Sequence, residues 1–133
     1  ELEGLAARLA AQHATPEEIK VLRNLMAEDE RLVDDPNAMS RANRRFHKQI
    51  HLASHNRFLV QQLDLVHRSM ALLATTSIAA EGRGHKTLQE HEAIVAAIEA
   101  GDGDAAYKAL RNHISEAFVT RLKLDAQAVE AAE

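Results

Sequence analysis

Residues 90–114 read EHEAIVAAIEAGDGDAAYKALRNHI, and what lies on either side of Gly101-Asp102-Gly103 decides the fold. Before the turn, Leu88, Ile94, Val95 and Ile98 fall on one face of a 3.6-residue helix. After it, Ala106, Ala109, Leu110, Ala117 and Leu124 do the same. Two amphipathic helices joined by so short a break pack as antiparallel neighbours. His91 falls in the middle of the first apolar face and His113 inside the arc of the second. Each lies ten residues from the nearer glycine of the turn, or about 15 Å along its helix, so the two imidazoles face each other at equal height.

Working outward, the rest of the 133-residue chain is helix-forming in the same way. It has two prolines, five glycines and 3% aromatic residues, its commonest residues include strong helix formers such as Ala, Leu, Glu, Arg and Gln, and no segment alternates as a strand does. Thr15-Pro16 and Asp35-Pro36 are helix starts, with a capping side chain before a proline at the first helical position. Ser54-His55-Asn56, Glu81-Gly82-Arg83-Gly84 and Gly101-Asp102-Gly103-Asp104 mark the remaining breaks. Helices are therefore expected near 2–13, 16–34, 37–55, 57–79, 85–100 and 104–129. The fold class is all-α, an antiparallel bundle of about six helices with no sheet, forming a single domain over 1–133. Asn56 is expected to cap the fourth helix.

Composition narrows the function. There is no cysteine, so disulfides and thiolate metal sites are excluded, and a reduced, cytoplasmic setting is the simpler expectation. Sixteen Lys and Arg against twenty Asp and Glu give a net charge of -4, scattered along the chain, which disfavours nucleic-acid binding by this segment. No apolar stretch approaches the roughly 20 residues of a membrane span.

The third helix adds the row NRRFHKQIHLASHN at 43–56, with Asn43, His47, His51 and His55 spaced four apart. Its apolar stripe is Met39, Ala42, Phe46, Ile50 and Ala53. At about 100° per residue, Asn43 lies roughly 55° and His47 roughly 95° from the stripe's centre. Both can point at a bundle interior. His51 and His55 rotate on by about 40° each and are expected in or near water. If this helix packs beside the hairpin, Asn43 and His47 complete a four-ligand cluster with His91 and His113. Three imidazoles and an amide oxygen suit zinc, nickel, cobalt, iron(II) or manganese, with coordination positions left open. A hydrogen-bonded core histidine is the alternative reading at each position. Glu90 and Glu92 flank His91 but are expected to point off the core face, so no general base is in place for catalysis and no catalytic residue is assigned.

Four motifs together resemble the FCD domain, the effector-binding and dimerisation half of the FadR branch of the GntR bacterial transcription regulators: LEGLAARLAA at 2–11, NRRFHKQIHLASHN at 43–56, EHEAIVAAIEAGDGDAA at 90–106 and RNHI at 111–114. The resemblance implies an all-helical bundle holding a divalent transition metal, zinc or nickel above others. The ligands it implies are Asn43, His47, His91 and His113, with Asn43 standing where the family commonly has Asp. It further implies a small carboxylate as effector, a homodimer, and DNA contact only through an N-terminal winged helix-turn-helix that is absent from this chain. Arg8, Arg68, Arg83 and Thr87 are candidates for fixing the carboxylate, Thr87 one turn before His91, although solvated surface is the simpler reading of the arginines. His13, His67 and His85 have no expected partner. The dimer surface is expected on the first and fourth helices. The fourth has Leu65, Leu72 and Ile78 lying away from a main stripe of Leu59, Leu63, Val66 and Met70. The competing functions are a metal-dependent hydrolase and a purely structural helical module.

Overall fold

In the computed structural model, which describes residues 1–70 and 77–133, the chain folds into six α-helices with no strand among the described residues. They are α1 (Leu2–His13), α2 (Pro16–Asp29), α3 (Pro36–Ala53), α4 (Arg57–Met70), α5 (Arg83–Glu99) and α6 (Gly103–Ala132). Single 3-10 turns at Glu30–Leu32 and Ser77–Ala79 follow α2 and precede α5.

The breaks follow from local chemistry. Thr15 and Glu18 form a reciprocal capping box in front of Pro16. Asp35 and Asp102 accept from the amides of Ala38 and Ala105, and the Asn56 side chain accepts from the amides of Phe58 and Leu59 at the start of α4, as expected. Several bounds differ from expectation, among them α6, which runs on to Ala132. α2 stops at Asp29 and tightens into its 3-10 turn. α5 begins two residues early, after Gly82 turns the chain at a φ of 71°. The expected fourth helix runs through 71–76, outside the described residues, and its last residues, Ser77–Ala79, form a 3-10 turn.

Packing places α1 along α6 and beside α3 and α5, while α5 pairs with α6 across the Gly101 turn. At Gly4 a Cβ would lie 2.7 Å from the Tyr107 ring, so the missing side chain lets α1 approach α6 closely. The core joins Ala6, Ala7 and Ala10 of α1 to Leu22, Phe46, Ile50, Leu63, Ile94, Val95, Ile98 and Leu110. A smaller cluster holds Met39, Ala42 and Ile78.

The expected apolar division of α4 is corrected. Leu59 and Leu63 are buried, but Val66 and Met70, from the supposed inner stripe, are exposed together with Phe58 and Leu65. Ile78 is buried, and Leu72 lies outside the described residues. The reason is that α4 packs on α3 and α1, and past Leu63 its inward face meets a polar group, the Glu3 carboxylate, through His67.

Candidate metal centre

Three helices bring the site together. His47 enters from α3, His91 from the middle of α5 and His113 from α6, all three buried, with one ring nitrogen of each within 4.8 Å of the others. The matched height of His91 and His113 appears as rings 4.9 Å apart. His91 stacks on Phe46, centroids 3.8 Å apart and planes 11° from parallel, which fixes the ring against the core. Its Nε2 lies 3.0 Å from Asn43 Oδ1. The three histidines expected as ligands therefore converge, and Asn43 lies against one of them.

Carboxylates set the tautomers. Nδ1–H of His47 donates to Glu3 Oε2 at 3.1 Å, and Nδ1–H of His113 donates to Glu90 Oε1 at 2.8 Å. An ionised carboxylate only accepts, so the ring nitrogen facing it carries the hydrogen. In the neutral rings Nε2 is then a bare lone pair on both, and these two atoms face each other at 3.1 Å. Glu90 is itself held by both terminal nitrogens of Arg83, at 2.8 and 2.7 Å.

Burial favours neutral imidazoles here. It pushes His91 well below the ordinary histidine value, the neighbouring His113 and His47 adding to the effect. It lowers His113 as well, with Glu90 opposing. Burial would raise the Glu90 carboxyl, yet the hydrogen bonds from His113 and Arg83 outweigh it and hold the group down at about 2. Neutral rings backed by fixed carboxylates are the usual setting of metal-binding histidines.

Several expectations change on contact with the structure. His51 is buried rather than solvated: its Nε2–H donates to Glu3 Oε1 at 2.9 Å. The further rotation around α3 carries it out of the core stripe but into the cleft where α1 and α4 pack. His55 is half-exposed as expected, its Nε2–H donating to Glu18. Glu90 points inward, whereas Glu92 lies outside and pairs with Arg23. Arg83 is buried, against the simpler reading of it as surface. Its Nε and the Thr87 hydroxyl are both buried without a partner. Arg8 is engaged elsewhere, donating to Asp104 and stacked over Tyr107. Arg68 is exposed on α4. Neither touches the cluster.

Sequence reasoning missed Glu3 and His67. Glu3 is one turn of α1 from Ala6 and Ala7, and its inward aim was legible in that spacing alone. Its partners were not, because they come from α3 and α4 at long range.

An all-helical bundle with this inward set on α3, α5 and α6 is what the four motifs imply for an FCD-type domain. The FCD domain family model matches residues 1–116, and the chain belongs to that family. The putative L-lactate dehydrogenase operon regulatory protein of Escherichia coli K12 is 30% identical over 128 residues, which are 93% of this chain and 49% of that protein. The galactonate operon transcriptional repressor of the same organism is 33% identical over 124 residues, 92% of this chain and 53% of that protein. The chain spans about half the length of these relatives. The solved structure of E. coli McbR/YncC shares the fold, with a TM-score of 0.75 at 17% identity over 93% of this chain and 61% of that one. No helix among the described residues is long and apolar enough to cross a membrane.

Proposed function

We propose that this FCD domain binds a divalent transition metal, zinc or nickel, through His47, His91, His113 and Asn43, and senses a small carboxylate there on behalf of a transcription regulator. The observation that carries the reading is the pair of Nε2 atoms of His47 and His113, 3.1 Å apart with both Nδ1 protons committed to carboxylates. Two lone pairs held face to face in a buried site repel each other unless a cation lies between them. Burial disfavours a proton in that role at His113, and a divalent metal between the two nitrogens is the reading we favour.

A divalent ion in this place offers open coordination positions to an anion's oxygens. Asn43 brings no charge, so three neutral imidazoles and an amide leave the ion uncompensated, which favours an anionic ligand. The unpartnered Arg83 Nε and Thr87 Oγ1, on the same helix as His91, supply further donors for carboxylate oxygens. Two relatives are named for the lactate dehydrogenase and galactonate operons. Lactate and galactonate are both 2-hydroxy acids, which can chelate a metal through carboxylate and hydroxyl together, and this is the effector class we favour. No catalytic role is assigned: Glu3 and Glu90, the carboxylates touching the site's rings, are committed to the Nδ1 side of those rings.

In the regulator the domain would act as a homodimer, with the exposed Phe58, Leu65, Val66 and Met70 of α4 as its apolar surface. Effector binding would reach DNA only through an N-terminal DNA-binding part. Calorimetry with small 2-hydroxy acids tests the reading: binding should vanish after chelation and return with zinc or nickel. Equal binding by the metal-stripped protein would refute it.

A further inference from the structure

The Glu3 carboxylate collects more donors than hydrogen bonding to one ligand requires. Its Oε2 accepts from His47, while its Oε1 accepts from Nε2–H of both His51, at 2.9 Å, and His67, at 2.5 Å. Three imidazoles from two helices thus surround one carboxylate, and Glu3 itself is only 13% exposed. The His51 and His67 rings stand edge to face with centroids 5.1 Å apart. In this arrangement Nδ1 of His51 is buried with no partner.

We infer that Glu3, His51 and His67 form a second divalent-metal site, separate from the His47, His91 and His113 centre and joined to it through Glu3. One carboxylate oxygen and two imidazole nitrogens are a known donor set for zinc and for related divalent ions. Their three ligand atoms lie within 4.8 Å of one another. Bonds of about 2.0–2.1 Å put tetrahedral ligands about 3.3 Å apart, so the contacts at 2.5 and 2.9 Å need to open by less than an ångström. Each ring would bind through Nε2 and carry its single proton on Nδ1 instead, so no net charge is lost from the imidazoles. His67 is 29% exposed, and this edge gives an ion and its remaining water ligands access from solvent. Oε2 of Glu3 stays on His47, so an ion here shares its carboxylate with a ligand of the first centre.

The chelator-stripped protein should take up two zinc equivalents by calorimetry, with two retained after dialysis. His67→Ala should hold one, and His67→Gln, which keeps a donor for Glu3 but lacks the imidazole nitrogen, should also hold one with the wild-type helical signal. His91→Ala, which leaves Glu3 untouched, should hold one, and the His67→Ala, His91→Ala double variant none. The outcomes separate the two sites. A wild-type chain that binds a single equivalent, lost in His91→Ala but kept in both His67 variants, overturns the second site and leaves the first. Two equivalents in folded His67→Gln would also overturn it. An unchanged count in His91→Ala counts against the first centre instead.

Discussion

Two clusters of polar side chains share α3 and one glutamate, yet they use the same ring in opposite senses. In the buried centre the carboxylates of Glu3 and Glu90 meet Nδ1 of His47 and His113, so the Nε2 lone pairs are free and converge. In the outer cluster the same Glu3 meets Nε2 of His51 and His67 directly, and those rings begin as donors. The difference lies in which ring nitrogen faces Glu3, Nδ1 of His47 but Nε2 of His51. On the proposed reading, two of the three rings in the buried centre already turn an Nε2 lone pair inward, whereas both rings of the outer cluster must first change tautomer. The buried centre is therefore expected to fill first.

The largest effect that can break this contrast is expected at Glu90. Glu90→Gln leaves the buried Arg83 without a counter-charge, and removing one partner of a buried ion pair costs about 3 kcal/mol or more. Urea denaturation should show that loss, and zinc affinity should fall about tenfold as His113 loses its carboxylate support. A stability within 0.5 kcal/mol of wild type, on the order of an ordinary surface change, would mean that Arg83 does not depend on Glu90.

His51 and His55 sharpen the comparison at the next level. His51→Ala removes a buried donor to an ionised carboxylate, worth about 2 kcal/mol. His55→Ala, in an exposed pair with Glu18, should cost less than about 0.5 kcal/mol. Equal melting temperatures would contradict the burial of His51.

His91, His113 and Glu90 give the metal-free protein two pH windows of the same sign. His91 and His113 have folded values below the ordinary 6.5, so the unfolded chain takes up protons first. Their contribution is full above about pH 6.5 and declines as pH falls below it. Glu90, lowered from 4.5 to about 2, contributes above pH 4.5 and loses its share between 4.5 and 2. The urea midpoint should therefore drop from pH 7.5 to 5.5, with a smaller drop in His91→Ala. A wild-type midpoint independent of pH over that interval would argue against neutral buried rings.

The smallest stability effect and the most specific one come from Asn43→Asp. The added carboxylate supplies from the protein the charge that an anionic effector otherwise brings. Metal should be held more tightly and the 2-hydroxy acid more weakly. Carboxylate affinity unchanged or raised at matched metal content would show that other contacts hold the effector.

Much of this was legible before any coordinates. The hairpin about Gly101-Asp102-Gly103 fixes the height of His91 and His113, and helical angles leave Asn43 and His47 able to point at the same interior if the third helix packs beside it. These are local periodicities, which a sequence carries openly. What stayed hidden depends on how helices distant in sequence lie against each other. His51 was expected in water because a single helix has one apolar stripe, whereas in the bundle α3 has two covered flanks. Arg83 was read as surface because a lone arginine near a glycine turn is ordinarily solvated, and only the bidentate contact with Glu90 makes its burial tolerable. Val66 and Met70 continued the stripe of α4 on paper, but no helix among the described residues covers them.

The most direct test of the central claim is zinc content measured side by side in wild type, His91→Ala, His113→Ala and His55→Ala after identical loading and dialysis. The three-helix centre predicts one equivalent fewer per chain in both the His91 and His113 variants, with His55→Ala matching wild type. Equal zinc in all four folded proteins would contradict it.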